Sequence, residues 1–569
     1  MQRPAALARQ GALLVLCAAS ACRVGERAPT PPRDLVASLL AQNDAAMPAR
    51  LAAQQLDPML PHHGGIPSAD GVWFPGATSG FIRDLVVAWV SPASRYHRSA
   101  RLLAALDAAA TYMLDVQHAD GTIDLPTTNF HSPPDTGFVL EWMCAAAAVL
   151  RATDDPAAGP VLEKLLRFIR RGADALAVGG IHTPNHRWVV CMALARANAL
   201  IPDPRYLARI DSWLAENIDI DADGQFTERS TTIYSPLTDR CLITVARLLG
   251  RPELLEPVRA NLAMTLYYMH ADGSVATEGS RRQDQYQHGS LLPYYYPYRF
   301  LAQRDGDARF AAIAHRLEAE QLPRLTGQLV YLLESPELAR PMPEPGALPD
   351  DYERHFAHSG LVRIRRGTLS ATILADNPTF FSLHVGSAAV AMRFASAFFG
   401  KGQFVGGEFH RDGADWVLSQ DLTGPYYQPI PAALRRADGD WLAMDRDARP
   451  TSEVQQLHSA VRVRERDDGF DVEVAITGTD GVPVAIEFGC PAGTEVTGAV
   501  PIEGADSAWL VADGATRLTV GGDHIELRGG EAGHRWTRIR GALDQLPGRS
   551  VYATGFTPWH RTIEFRRGR

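Results

Sequence analysis

Ser335-Pro-Glu-Leu-Ala-Arg-Pro-Met-Pro-Glu-Pro-Gly-Ala-Leu-Pro349 carries five prolines in fifteen residues. A helix cannot continue through such a run, because each proline removes a backbone donor and clashes with the preceding turn. The segment 333–351 therefore reads as a stiff, extended linker. Hydrophobic period changes across it. Before it, Ser99 to Val116 reads Ser-Ala-Arg-Leu-Leu-Ala-Ala-Leu-Asp-Ala-Ala-Ala-Thr-Tyr-Met-Leu-Asp-Val, with apolar residues at helical spacing. Similar stretches lie near 137–152, 160–178, 187–200, 205–217, 236–249, 253–269 and 307–321. The connections are short, which predicts antiparallel helical hairpins. After the linker, Phe470, Val472, Val474 and Ile476 alternate with Asp471, Glu473 and Ala475, just behind the turn Asp467-Asp-Gly469. Leu518, Val520, Ile525 and Leu527 repeat the pattern around Gly521-Gly-Asp523. Short alternating strands with glycine-bearing turns predict an antiparallel β-sandwich. The expected chain is an α+β multidomain protein, helical over 35–332 and a sandwich over 352–569.

The amino terminus reads as an export signal. Arg3 and Arg9 precede the apolar run Gly11-Ala-Leu-Leu-Val-Leu-Cys-Ala-Ala19, which is too short to span a bilayer as a mature helix. Ala19-Ser-Ala-Cys22 suits secretory cleavage, and with Cys22 it resembles a bacterial lipobox. That resemblance implies lipidation of Cys22 in a signal peptide of residues 1–22. The expected location is the bacterial outer membrane, as a lipoprotein, or the periplasm. The membrane is reached only through this lipid. A formal charge of −9 lacks the basic footprint of a nucleic-acid binder, although local arginines can still dominate a cleft. Cys144, Cys191, Cys241 and Cys490 remain after export, the first three in apolar helical stretches, and read as buried thiols.

His118-Ala-Asp-Gly121, Asp221-Ala-Asp-Gly224 and His270-Ala-Asp-Gly273 punctuate the helical half, and read as helix C-caps. The loops behind them are rich in ionisable groups: Thr127 to Asp135 with His131, Thr227 to Tyr234 with Glu228 and Arg229, and Glu278 to Asp284 with Arg281 and Arg282. Gly179 to Trp188, holding Asn185 and His186, is a fourth. If the hairpins form a ring, these loops open on one face and converge on one cleft.

This organisation resembles the heparinase II/III-like polysaccharide lyases and their alginate-lyase relatives. The resemblance implies an incomplete (α/α) toroid followed by an antiparallel β-sandwich. In such enzymes an Asn or Asn-His pair is followed by a tyrosine, and the sandwich contributes a histidine. The matching residues here are Asn185-His186, then Tyr234, then His384 in Thr379-Phe-Phe-Ser-Leu-His-Val-Gly386. The Gly-His-His-Ala-Asp-like signature of the family is absent around His384, which leaves His410 in Gly406-Gly-Glu-Phe-His-Arg-Asp412 as a rival.

The resemblance implies cleavage of a uronic-acid-containing glycan by β-elimination, with Asn185, His186, Tyr234 and His384 catalytic. Removing the C5 proton beside a carboxylate needs charge-spreading donors, a base, and an acid for the leaving O4. A tyrosine serves once neighbouring positive charge lowers its pKa from about 10, and Arg229 is the candidate neighbour. His131, Asp135, Glu228, Arg229, Glu278, Arg281 and Arg282 are the expected substrate-binding residues. Arg281 and Arg282 suit bidentate grip of a uronate. No metal or organic cofactor is needed. His62-His63 and the Glu408/His410/Asp412 group have ligand types without diagnostic spacing, and no metal site is expected. Each residue also has a structural reading: Asn185 an N-cap, Tyr234 and Tyr294 to Tyr298 packed aromatics, His384 a core histidine. Two other functions stay open. One is an exo-acting hydrolase resembling β-glucuronidases, using paired carboxylates among Asp135, Glu228, Glu278 and Asp284. The other is a non-catalytic surface glycan-binding lipoprotein.

Overall fold

The computed structural model describes residues 34–505 and 507–568. The export signal and Cys22 lie outside them. The helical half contains α1 (Leu35–Ala52), α2 (Pro75–Val90), α3 (Ala100–Asp115), α4 (Pro133–Arg151), α5 (Gly159–Val178), α6 (Asn185–Leu200), α7 (Pro204–Leu214), α8 (Tyr234–Leu249), α9 (Leu255–Thr265), α10 (Tyr295–Asp305), α11 (Ala308–Glu320) and α12 (Leu329–Glu334). Helices α2/α3, α4/α5, α6/α7, α8/α9 and α10/α11 pack as hairpins. Their first members form an inner ring in which α2 meets α4, α4 meets α6, α6 meets α8 and α8 meets α10. Helix α12 packs on α1, α2 and α4 and fills the remaining gap, giving the incomplete toroid.

Composition sorts the helices into the two rings. Inner α6 is apolar nearly all round and buries every residue from Asn185 to Ala197, whereas outer α7 buries only Tyr206 and Ile210. Three arginines inside the inner ring are paired with carboxylates. Arg240 grips Glu141 through Nε and Nη2 at 2.7 and 3.1 Å, and Arg196 and Arg247 converge on Glu334 at 2.8 and 2.9 Å. Among the described residues no helix is long and apolar enough to cross a membrane.

The Asp-Gly pairs are not helix caps. Helix α3 ends at Asp115 and α7 at Leu214, before the motifs begin. Each motif is a tight turn: Gly121, Gly224 and Gly273 donate to the carbonyls of His118, Asp221 and His270. Gly121 has φ +87°, and a Cβ there would meet the Arg171 carbonyl oxygen at 2.1 Å, so glycine is required.

Among the described residues the carboxyl-terminal half is two facing sheets of ten and eight strands. Their strand pairings are antiparallel except Ala508–Val511 beside Arg549–Phe556. Phe470, Val472, Val474 and Ile476 are fully buried between the sheets, as their alternation predicts. The ten-stranded sheet also uses its outer face. Strand Leu369–Leu374 is buried throughout because it lies against the toroid. Tyr352 and Arg363 donate to the Tyr267 carbonyl at 2.7 and 3.1 Å, and Ser359 Oγ donates to Asp221 at 2.9 Å. The sandwich thus leans on the mouth of the toroid.

The proline segment is partly docked. Leu338 is buried after a 3-10 turn at Pro336–Ala339, Arg299 donates to the Leu338 and Arg340 carbonyls, and Gly346 N–H donates to Ala308. Regular structure resumes at Asp351.

Candidate active site

Inner helices α4, α6, α8 and α10 begin at one end of the ring, so the loops before them meet there. Glu228, in the loop before α8, accepts from Asn185 Nδ2 at 2.6 Å and from its backbone N–H at 3.2 Å. Its other oxygen lies 2.7 Å from Arg282 Nη1. The Arg282 guanidinium sits 4.8 Å from the Tyr234 ring centroid, and Gln283 Nε2 donates to the Tyr234 hydroxyl at 3.2 Å. Asn185, Glu228, Arg282 and Tyr234 therefore form one connected chain from three loops. Asp284 ties two of those loops together: fully buried, it accepts from Ser230 and Ser280 hydroxyls at 3.0 and 3.1 Å and from Thr232 N–H at 2.8 Å.

Asn185 is not a helix cap. Pro184 occupies the cap position and the Asn185 side chain makes no capping bond. Its amide is directed to Glu228 and Thr183, while Oδ1 is buried without a hydrogen-bond partner. His186 packs at right angles to His182, and burial, then His182, lower its pKa to about 4. Its ring is neutral at ordinary pH and can donate without carrying charge.

A second cluster sits where the sandwich meets the loop. His384, on strand Phe381–Val385, stacks on His270 at 3.6 Å and 12°, and its Nε2 lies 3.6 Å from Glu278 Oε1. Burial opposes ionisation of Glu278, but His384 outweighs it and the carboxyl is lowered to about 2. Asn377 Nδ2 donates to the Glu278 carbonyl at 3.1 Å, fixing the loop from the sandwich side. His384 is thus no packed core histidine. His410 is exposed on the edge strand Glu408–Asp412 of the other sheet, without a hydrogen-bond or ion-pair partner among the described residues.

Other expected residues lie elsewhere or serve the fold. Arg229 has φ 45° and sends its guanidinium to the Ser359 carbonyl at 3.2 Å, so Arg282, not Arg229, stands over Tyr234. Arg281 donates its N–H to the Arg229 carbonyl at 2.7 Å. Burial, then repulsion from Arg229, lower the Arg281 pKa. Asp135 accepts from Ser132 and Asn129 at 2.6 and 2.9 Å in the first turn of α4. His131 pairs with Asp120 at 2.8 Å and stacks on His118, exposed at a hairpin. Tyr294, Tyr295, Tyr296 and Tyr298 are toroid core. Neither group of suspected metal ligands assembles: His62 stacks on Trp73 at 4.9 Å, Glu408 accepts from Ser419, and Asp412 pairs with Arg462. Sequence reasoning missed Gln283 and His270. The first adjoins Arg282; the second lay inside a turn motif read as punctuation.

A helical toroid followed by antiparallel β-sheets is a fold that this chain shares with solved polysaccharide lyases. The chain is similar to the chondroitin AC lyase of Streptomyces coelicolor A3, solved with chondroitin sulphate (14% identity, 94% of this chain and 79% of that one, TM-score 0.54). It is also similar to heparinase III (12% identity, 95% and 86% covered, TM-score 0.51) and to a Paenibacillus xanthan lyase (9% identity, 94% and 56% covered, TM-score 0.52). No family model and no curated protein matches the sequence.

Proposed function

We propose that this chain is a carbohydrate-active enzyme that cleaves a uronic-acid-containing glycan by β-elimination at the toroid mouth. The observation that carries the reading is the Asn185–Glu228–Arg282–Tyr234 chain, which holds the Tyr234 ring against a guanidinium where three loops meet. In this reading Tyr234 exchanges the proton at C5 or O4. Arg282 and Arg281 hold the uronate carboxylate and spread the carbanion charge. Glu228 positions Asn185 and Arg282. The neutral His186 and the sandwich's His384 supply further polar contacts to the reacting sugar.

Hydrolysis fits the carboxylates less well. A glycosidase needs one protonated carboxyl and one free base or nucleophile. Glu278 is held ionised beside His384, Asp284 is fully buried among donors, and Asp135 is committed to the start of α4. Incubation with a panel of uronate glycans tests the proposal. Ultraviolet absorbance of a 4,5-unsaturated product supports it. Free uronic acid or new reducing ends without that absorbance mean hydrolysis, and no product at all means a glycan-binding module.

We further propose that the chain is exported and anchored through a lipid on Cys22, on the strength of Ala19-Ser-Ala-Cys22. In a Gram-negative host it should partition with membranes and label with palmitate. Cys22→Ser should lose the label. Wholly soluble wild type would leave Ala21 as a plain secretory cleavage site.

A further inference from the structure

We propose that His270, Glu278 and His384 form a binding site for a divalent transition-metal ion, zinc by preference, that fastens the sandwich to the toroid. One ligand-capable atom of each residue lies within 4.8 Å of the others. Two of the three belong to the toroid and one to a sandwich strand, so an ion held by all three would bridge the halves.

Two of the three side chains carry a buried atom without a hydrogen-bond partner. His270 is fully buried, and its Nδ1 lies 2.8 Å from Ser370 Oγ. That bond leaves Nε2 buried without a hydrogen-bond partner. An imidazole whose far nitrogen is fixed by a hydroxyl, with its near nitrogen bare, is oriented as a metal ligand is. Glu278 is buried too, and its Oε2 has no hydrogen-bond partner. From the sandwich side His384 Nε2 lies 3.6 Å from its other oxygen, Oε1. Buried polar atoms are normally satisfied, and two orphans on neighbouring side chains of one cluster call for a common explanation. A cation supplies one: it accepts a lone pair from each imidazole and offsets the carboxylate charge.

The donor set selects the ion. Two imidazoles and one carboxylate suit zinc, at about 2.0–2.2 Å to each, with a fourth position for water. Calcium and magnesium call for six or more oxygen donors, which this space does not supply. Seating zinc requires the ligand atoms to close by about 1 Å. The two rings, now stacked at 3.6 Å, must also splay. His384 can make that movement because its side chain retains 20% exposure. An ion here would take the His384 lone pair in place of the sugar contact proposed for that residue, leaving polar contact to His186 and proton exchange to Tyr234. The inference goes beyond the β-elimination reading and does not depend on it.

The test uses the full chain, stripped with chelator and then dialysed against zinc chloride, with metal content measured by mass spectrometry. About one zinc per chain is expected, together with a raised Tm. Cobalt should substitute and give visible d–d absorption of a low-coordinate nitrogen/oxygen site, a readout that needs no variant. Ser370→Ala keeps all three ligands and should weaken zinc by on the order of 10–100-fold. His270→Ala and Glu278→Gln should abolish stoichiometric binding, with circular dichroism confirming their fold. Absence of zinc and cobalt uptake by the wild type overturns the site. So does uptake unchanged in a His270→Ala/Glu278→Gln double variant. Because no arm reads glycan cleavage, metal binding and the lyase reading can fail separately.

Discussion

Tyr234 is the residue on which the functional reading turns. If it transfers the C5 or O4 proton, Tyr234→Phe should lower kcat by on the order of 10²–10⁴ and leave KM nearly unchanged, because only a hydroxyl is lost. Steady-state kinetics on the cleaved glycan check this, and a fully active phenylalanine enzyme would refute the role. Asp239 allows a separate test of stability. It lies on α8, fully buried, with neither oxygen hydrogen-bonded, and burial raises its pKa well above 3.8. The folded state therefore binds a proton that the unfolded state releases. The stability linked to this group is complete below pH 3.8 and is lost as pH rises toward the raised value. Asp239→Asn removes the titration, so its Tm advantage over wild type should widen from pH 4 to pH 8; a constant gap would contradict this. The sequence showed the spacing of Asn185 and Tyr234 but not their connection. Glu228 could be read as a carboxylate in a loop, yet its bonds to Asn185 and Arg282 depend on three loops folding together. Arg229 looked nearer to Tyr234 because it is nearer in sequence, and its left-handed backbone turns it to Ser359 instead.

At the level of elements, periodicity was enough to separate helix from strand. It could not say which sheet docks, because a strand buried on both faces, such as Leu369–Leu374, shows no alternation. It also overstated the proline segment as a free linker. Prolines forbid a helix but do not prevent docking, and Arg299 ties Leu338 and Arg340 to α10. The segment should therefore resist thermolysin at Leu338. The 428–450 loop, almost wholly exposed and holding Leu434 and Leu442, should be cut first. Mass spectrometry of early fragments checks the order. Arg299→Ala should make the proline segment cleavable by releasing the two carbonyls; early cutting there in the wild type would mean that the docking is weak.

For the whole molecule, the net charge of −9 and the proposed anionic substrate are in apparent conflict. Their reconciliation is local. Arg281 and Arg282 lie in the loop that meets Tyr234, and the depressed Arg281 pKa registers burial first and crowding with Arg229 second. The N-termini of α4, α6, α8 and α10 open on the same end of the ring, and each adds partial positive charge there. A polyanionic glycan would be repelled by the bulk of the surface and drawn to this one region, and steering of that kind is screened by salt. With the Debye length falling from about 30 Å at 0.01 M to about 8 Å at 0.15 M, KM for a uronate glycan should rise steeply across that range. Chemistry within the closed contact of Arg282, Glu228 and Tyr234 is screened much less, so kcat should stay nearly level. Arg281→Gln should raise KM at low salt and flatten its salt dependence, while a neutral glycan of equal length should show neither effect. If KM is indifferent to salt, the arginines do not gather the substrate, and the case for a uronate glycan loses its electrostatic half.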